Sequence, residues 1–405
     1  MSKASYRENS RRPCTVCNNT QSHLLYRQSF SQISNNSSPL SGYDVVACDD
    51  CGFCFADNIP EQTIFDAYYR DVSKYEKTER GDHDSLYDQA RFKAIADVIL
   101  RSLDKREVRI FEVGCANGQL LSLLKTEGYE NVSGIEPSPV SVEIAWRRFG
   151  INISASTLSD LSINDGAIDF IILAGVLEHI RQIGPALQKL KNMLSVGGSL
   201  FITVPDASRY AEGEDAPFQE FSVEHINFFG PDSLANLLNV NGFEQISIKE
   251  DMIESNYRTI TPVIHGFFRK SALLTSIPYS RDTRTEAGLR IYIDQSIQRD
   301  RLIQAKINKV VETRRPIIVW GAGAHTLRLL ANSRLAEAKI RAFIDSNPRY
   351  QGKVLNNIPI ISPESLKDLH EPILISSRVY QEEILAQIRN ELRSINEVIR
   401  LYKIT

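Results

Sequence analysis

Glu112-Val-Gly-Cys-Ala-Asn-Gly118 decides the fold. It closes a strand predicted over Val108–Val113 and opens a helix predicted over Leu120–Thr126. Glycines at 114 and 118 let the backbone turn tightly and approach a ligand closely. A second strand, Val132–Ile135, leads to Glu136, placed to accept hydrogen bonds from ribose hydroxyls as the acid of a dinucleotide fingerprint does. The spacing departs from G-x-G-x-x-G, and a tight strand–helix turn without a ligand is the plainer alternative. Outward from this turn the rhythm continues. A periodic helix (Phe92, Ile95, Val98, Ile99) precedes it, and the apolar strand Ile168–Ala174 follows. Amphipathic Ala186–Leu194 and the strand Ser199–Val204, after a Gly197-Gly198 turn, come next. Alternating strands and helices imply an α/β, doubly wound parallel sheet with ligands at the strand C-termini.

The chain has 405 residues, room for two or three domains, and is 42% hydrophobic and 24% charged, which excludes wholesale disorder. Apolar stretches such as Phe170–Val176 fall far short of a membrane helix, and the first residues carry no apolar signal core, so a cytoplasmic protein is expected. With 47 basic against 50 acidic residues, no basic face for nucleic acid or anionic membrane is expected.

Five of six cysteines lie in the first 54 residues. Cys14-Thr-Val-Cys17 and Cys48-Asp-Asp-Cys51 read as two knuckles of one closed structural Zn²⁺ site, because each C-x-x-C turn puts two thiolates on one side of the chain. The segment between them reads as short strands (Leu24–Tyr26, Val45–Val46) around a loop at Asn35–Pro39. Cys51-Gly-Phe-Cys54 is a rival pair, and a redox pair or small packed core is the alternative to metal.

With an acid at its head, the 112–118 turn resembles the E/D-x-G-x-G-x-G loop of class I S-adenosylmethionine methyltransferases, Ala116 standing at the middle glycine. The resemblance implies that Glu112 faces the methionine ammonium and that Gly114, Ala116, Gly118 and Glu136 hold the cofactor. It also implies that Ser156-Thr-Leu-Ser-Asp160, with Thr157 and Leu158, covers the adenine. Ala174-Gly-Val-Leu-Glu-His179 and Leu194-Ser-Val-Gly-Gly-Ser-Leu200 resemble further family segments; His179 reads as a structural helix-start residue. Phe221-Ser-Val-Glu-His-Ile-Asn-Phe-Phe229 offers Glu224-His225 as general acid/base machinery, against a packed histidine as the alternative. Taken with the zinc knuckles, it resembles the sugar C-methyltransferases, which methylate nucleotide-linked keto-deoxysugars through an enolate. There the segment opens with an aromatic hydroxyl; here Ser222 and Val223 precede the pair. The expected base is His225, with Glu224 as orienter or alternate base.

Leu289, Ile293, Ile297, Ile303, Ile307 and Val310 trace one face of a long helix, interrupted by Asp300, after an irregular stretch Asp251–Arg284. Pro316-Ile-Ile-Val-Trp-Gly-Ala-Gly323 and Ala342-Phe-Ile-Asp345 then outline a second nucleotide-type fold, with Thr326 at the third glycine's place. Its turn reads as an NAD site, a contact to the substrate's nucleotide or pyrophosphate, or a purely structural turn. Four units are expected: zinc-binding (1–70), methyltransferase (71–250), linker (251–284) and Rossmann-like with its leading helix (285–405). The expected partner is a nucleotide-sugar small molecule, with no nucleic acid and no membrane, in a monomer or homodimer. An O-methyltransferase for a glycan or small-molecule hydroxyl, and a non-catalytic S-adenosylmethionine-binding protein, are the other function classes.

Overall fold

The computed structural model describes residues 11–34, 38–71, 86–162, 164–256, 259–271 and 278–402. Part of the expected 35–39 loop, and the residues just past the expected boundary at 70, therefore lie outside the described residues. Near the N-terminus, β1 (Ser22–Ser29), β2 (Gly42–Cys48) and β3 (Cys54–Asp57) form an antiparallel sheet. These strands run longer than expected because the alternating buried positions of β2, Tyr43, Val45 and Ala47, extend beyond the two valines. The sheet's fourth strand is Asn227–Phe228, contributed from far along the chain. Buried Arg12 fastens the two segments: its guanidinium donates to the carbonyls of Ala56 (3.0 Å) and Ile226 (2.6 Å) and to Asn227 Oδ1 (2.9 Å). Helix α1 (Gln62–Asp71) follows.

Helix α2 (Leu86–Leu100) leads into the central sheet, where β4 (Ile110–Val113), α3 (Gln119–Thr126), β5 (Val132–Glu136), α4 (Pro139–Phe149) and β6 (Ile153–Ala155) run one way from the first strand. β7 (Ile168–Ala174), α5 (Ile183–Met193) and β8 (Leu194–Pro205) run the other way, which makes the gap between β4 and β7 the topological switch point. All these strand pairs are parallel, and β4 is buried along its whole length, as a sheet covered on both faces requires. The Gly197-Gly198 turn survives only as a bulge inside β8: Ile168 pairs with Leu194, and pairing resumes at Phe170 with Ser199.

β9 (Asn227–Phe228) and α6 (Pro231–Val240) precede the main departure from expectation. Asp251–Arg284 is not an irregular linker, since β10 (Phe243–Asn256) and β11 (Thr259–Lys270) form a long hairpin there. β11 runs antiparallel to β8, from Val263 opposite Pro205 to Arg269 opposite Ser199, so the central sheet extends to Lys270, past the boundary expected at 250. The exposed charges of β10, Glu244 and Asp251 among them, mask its strand pattern.

Helix α7 (Arg284–Glu312) is the expected long connector. Its buried face uses Tyr292 and Ser296, while Ile297, expected inside, is exposed. Asp300 does not interrupt it: the carboxylate is buried and paired with Arg328 at 2.9 Å. The C-terminal sheet follows in chain order: β12 (Ile317–Trp320), α8 (Ala324–Asn332), β13 (Ile340–Ile344), β14 (Val354–Leu355), β15 (Ile358–Ile361), β16 (Ile373–Ile375), α9 (Gln381–Ala386) and β17 (Val398–Arg400). It is parallel apart from the β14–β15 hairpin at its edge. Phe30, Tyr43, Phe221, Leu289, Ile307 and Val319 share one core, so the N-terminal sheet, α7 and the C-terminal sheet pack as one body.

Candidate active site

A cavity of about 760 Å³ opens above the C-terminal ends of β4, β5 and β7. At one end it is walled by the turn that decides the fold. Gly114 has φ +70°, and a Cβ there would sit 3.0 Å from Val176 Cγ2, so its lack of a side chain keeps the wall open. Ala116 takes φ +49°, a left-handed conformation unusual for alanine, where the resemblance has a glycine. Its N–H donates to Glu136 Oε2 at 2.9 Å, and Ser138 N–H donates to Oε1 at 3.0 Å. These bonds fix the Glu136 carboxylate at the tip of β5, facing the cavity, while burial pushes its pKa up. Thr157, Leu158 and Ala174 also line this end.

Two of the expected cofactor residues stand back from the cavity. Gly118 (φ +77°) begins α3, and a Cβ there would meet Ala145 Cβ at 3.0 Å and Ile153 Cδ1 at 3.1 Å, so it is needed for helix packing and not for ligand approach. Glu112 lies behind the wall, 2% exposed, and its Oε2 has no hydrogen-bond partner among the described residues. Burial, with Glu136 adding, pushes its carboxyl up to about 8. A buried acceptor without a donor is the feature a cofactor's ammonium would satisfy.

The cavity is also lined by further acid/base groups. Glu224 and His225 both line it. Ser222 Oγ accepts from the backbone N–H of Glu224 (3.2 Å) and His225 (3.1 Å), a serine turn that presents the pair. No aromatic hydroxyl precedes the pair in sequence, but α1 supplies two phenols in space. Tyr68 donates to Glu224 Oε1 at 2.8 Å, and Tyr69 Oη lies 3.0 Å from His179 Nδ1. His179, expected to be merely structural, faces the cavity with its ring 5.1 Å from that of His225. Its Nδ1 is 3.1 Å from the Glu224 carbonyl oxygen, which can only accept.

Glu220 and Asp215 complete this wall and were not legible in the sequence, which places them in an unpatterned loop. Burial, then Asp215 and Glu178, push Glu220 up to about 8; burial pushes Asp215 up to about 6, against the Arg378 guanidinium 3.9 Å away. Arg378 brings the C-terminal sheet to the cavity rim. Its Gly321 turn stays apart and is satisfied internally, Ala322 N–H donating to Asp345 Oδ2 at 2.7 Å.

In the N-terminal sheet, Cys14, Cys17, Cys48 and Cys51 converge, their four Sγ atoms within 4.8 Å of one another. Cys14 and Cys51 are 3.4 Å apart, as are Cys17 and Cys48. A closed set of four soft donors suits a tetrahedral zinc ion. Cys54, the rival ligand, points elsewhere, its Sγ 3.5 Å from the Gly52 carbonyl.

Residues 87–248 match the family described as methyltransferase domain, and residues 313–399 match C2185-like, N-terminal. A curated relative, the tRNA U34 carboxymethyltransferase of Vibrio cholerae serotype O1, is 29% identical over 159 residues, 36% of this chain. The chain spans about half the length of that relative, 48%. Among solved structures, the 1,6-didemethyltoxoflavin-N1-methyltransferase of Burkholderia thailandensis gives a TM-score of 0.40 at 17% identity, covering 55% of this chain and 98% of its own. The PH0226 protein of Pyrococcus horikoshii OT3 gives 0.39 at 16% identity, covering 51% and 99%. The sheet order, the turn at its switch point and the family match agree: the central domain is a class I, S-adenosylmethionine-dependent methyltransferase domain.

Proposed function

We propose that this chain transfers a methyl group from S-adenosylmethionine to the carbon beside the ketone of a nucleotide-linked deoxysugar, and that Cys14, Cys17, Cys48 and Cys51 hold a structural zinc ion. One observation carries the reading. Glu224 and His225 line the same cavity as Gly114, Glu136 and Thr157, so acid/base groups and the cofactor wall face one volume. The orphaned Glu112 oxygen and the side-chain-free wall at Gly114 fit the cofactor. When bound, the cofactor supplies a methyl group already activated on a sulfonium.

The chain's own residues supply the rest. Glu136 orients the ribose, and the 156–160 loop covers the adenine. His225 takes the proton α to the ketone, the C–H electron pair moving toward the carbonyl oxygen as an enolate, and later releases it to solvent. Tyr68 holds the Glu224 carboxylate in place. Positioning of this kind is worth ~7–11 kcal/mol in well-oriented reactions, and a placed base adds ~10²–10⁴-fold. The test is mass spectrometry of a panel of keto-sugar nucleotides incubated with the protein and S-adenosylmethionine. A methyl group on a ring carbon supports the reading. Methylation on oxygen, or of tRNA alone, overturns it.

A further inference from the structure

The Glu224 carboxylate, expected to orient His225, is engaged elsewhere. Its Oε1 accepts from the Tyr68 hydroxyl at 2.8 Å, and its carbonyl faces His179. A carboxylate from five residues earlier faces the His225 ring: Glu220 Oε2 lies 3.8 Å from His225 Nδ1, with Glu178 also near. We propose that Glu220 is the positioning residue of His225, holding the Nδ1 proton so that Nε2 keeps the lone pair that removes the acceptor's proton. The proposal rests on the reading of His225 as the base.

The surroundings give Glu220 a fixed place. Its backbone N–H donates to Tyr292 Oη on α7 at 3.1 Å, and the Phe221 ring beside it packs on Tyr292, 5.3 Å between centroids. The segment is thus tied to a 29-residue helix, while Ser222 holds the other side of the His225 turn. Other charged and titratable groups face the pair. Asp215 and Glu224 come from the same segment, Glu178 and His179 from the short helix after β7, Tyr210 from the helix after β8 and Tyr292 from α7. Arg378 reaches in from the C-terminal sheet. A separation of 3.8 Å is an ion-pair distance, and catalytic contacts commonly tighten when the acceptor binds. Burial, then Asp215 and Glu178, push the Glu220 carboxyl up to about 8. Once His225 has taken the acceptor's proton, Glu220 faces an imidazolium and stabilises it; the proton leaves to solvent after methyl transfer. Neutral Gln at 220 removes that charge without removing the volume.

The experiment is ¹⁵N NMR of the histidines in the full chain, wild type against Glu220→Gln and Glu220→Asp, with His225→Ala identifying the His225 signal. The wild-type neutral ring is expected to carry its proton on Nδ1. Glu220→Gln is expected to move the neutral ring's proton off Nδ1 and to lower the His225 titration, since the charged ring loses the acid that faces it. Glu220→Asp, which keeps the charge and the fold if Gln does not, is expected to retain most of it. In turnover, Glu220→Gln is expected to reduce solvent exchange of the acceptor's α proton by roughly 10- to 100-fold with the acceptor's KM held. An unchanged tautomer and titration in folded Glu220→Gln overturns the proposal. Solvent exchange that survives in His225→Ala overturns the reading beneath it instead.

Discussion

Glu112→Gln separates what the buried acid does for the fold from what it does for the cofactor. In the free protein the Glu112 carboxyl is raised from its ordinary 4.5 to about 8 by burial and by Glu136. Between those values the unfolded chain has released this proton while the folded chain still holds it. Stability therefore falls as pH rises, by about 1.4 kcal/mol per unit, and levels off above pH 8. At pH 7 the accumulated penalty is about 3 kcal/mol. Glutamine removes it but leaves a buried amide whose own desolvation costs ~1–3 kcal/mol. Free Glu112→Gln is thus expected to be no more stable than wild type at pH 5, where the penalty is still below about 1 kcal/mol, and more stable at pH 8.5. The opposite holds for the cofactor. An ammonium beside the orphaned Oε2 favours the ionised acid, so binding to wild type releases a proton below pH 8 and tightens as pH rises toward it. Losing that buried pair should weaken binding by ~2–3 kcal/mol, roughly 30- to 150-fold in Kd. Calorimetry in buffers of different ionisation enthalpy, with melting curves at pH 5, 7 and 8.5, reads both effects. Wild-type affinity and an unchanged pH slope of stability in Glu112→Gln would exclude both roles for the acid.

The other predictions bear on separate parts of the molecule. Gly114→Val forces a branched residue into φ +70° against Val176, costing ~1–2 kcal/mol or more in strain; by circular dichroism and calorimetry it should fold yet bind no S-adenosylmethionine. Elemental analysis should find one zinc per chain, lost in Cys48→Ser and kept in Cys54→Ser, since Cys54 points away from the cluster. Asp300→Ala leaves the Arg328 guanidinium buried without its carboxylate and should destabilise by about 3–5 kcal/mol in urea unfolding, most of it recovered by Asp300→Ala with Arg328→Met.

The parallel strands were legible because burial on both faces forces continuous apolar runs: Ile168–Ala174 has the ends expected. The glycine turn and Glu136 were legible because a close backbone approach and a strand-end acid leave fixed spacings. The β10–β11 hairpin was not, because the exposed charges of β10 break its pattern and Pro262 and Gly266 interrupt the buried run of β11. Contacts brought about by the tertiary fold leave no local mark. Tyr68 and Tyr69 reach Glu224 and His179 across more than a hundred residues, and Glu220 meets His225 through an irregular loop. Gly118 shows the converse: it occupies a motif position, yet it serves the packing of α3 against Ala145 and Ile153.

Removal of a proton from carbon by His225 is read out by deuterium uptake. A thymidine-diphosphate-linked 4-keto-6-deoxy sugar is incubated in heavy water with S-adenosylhomocysteine and either wild type or His225→Ala, and its mass is followed with time. Wild type is expected to introduce deuterium at the carbon beside the ketone without any methyl donor, and His225→Ala to lose at least ~100-fold in that rate with cofactor affinity intact. Equal uptake with both proteins, or none above the buffer rate with wild type, would contradict proton removal by His225.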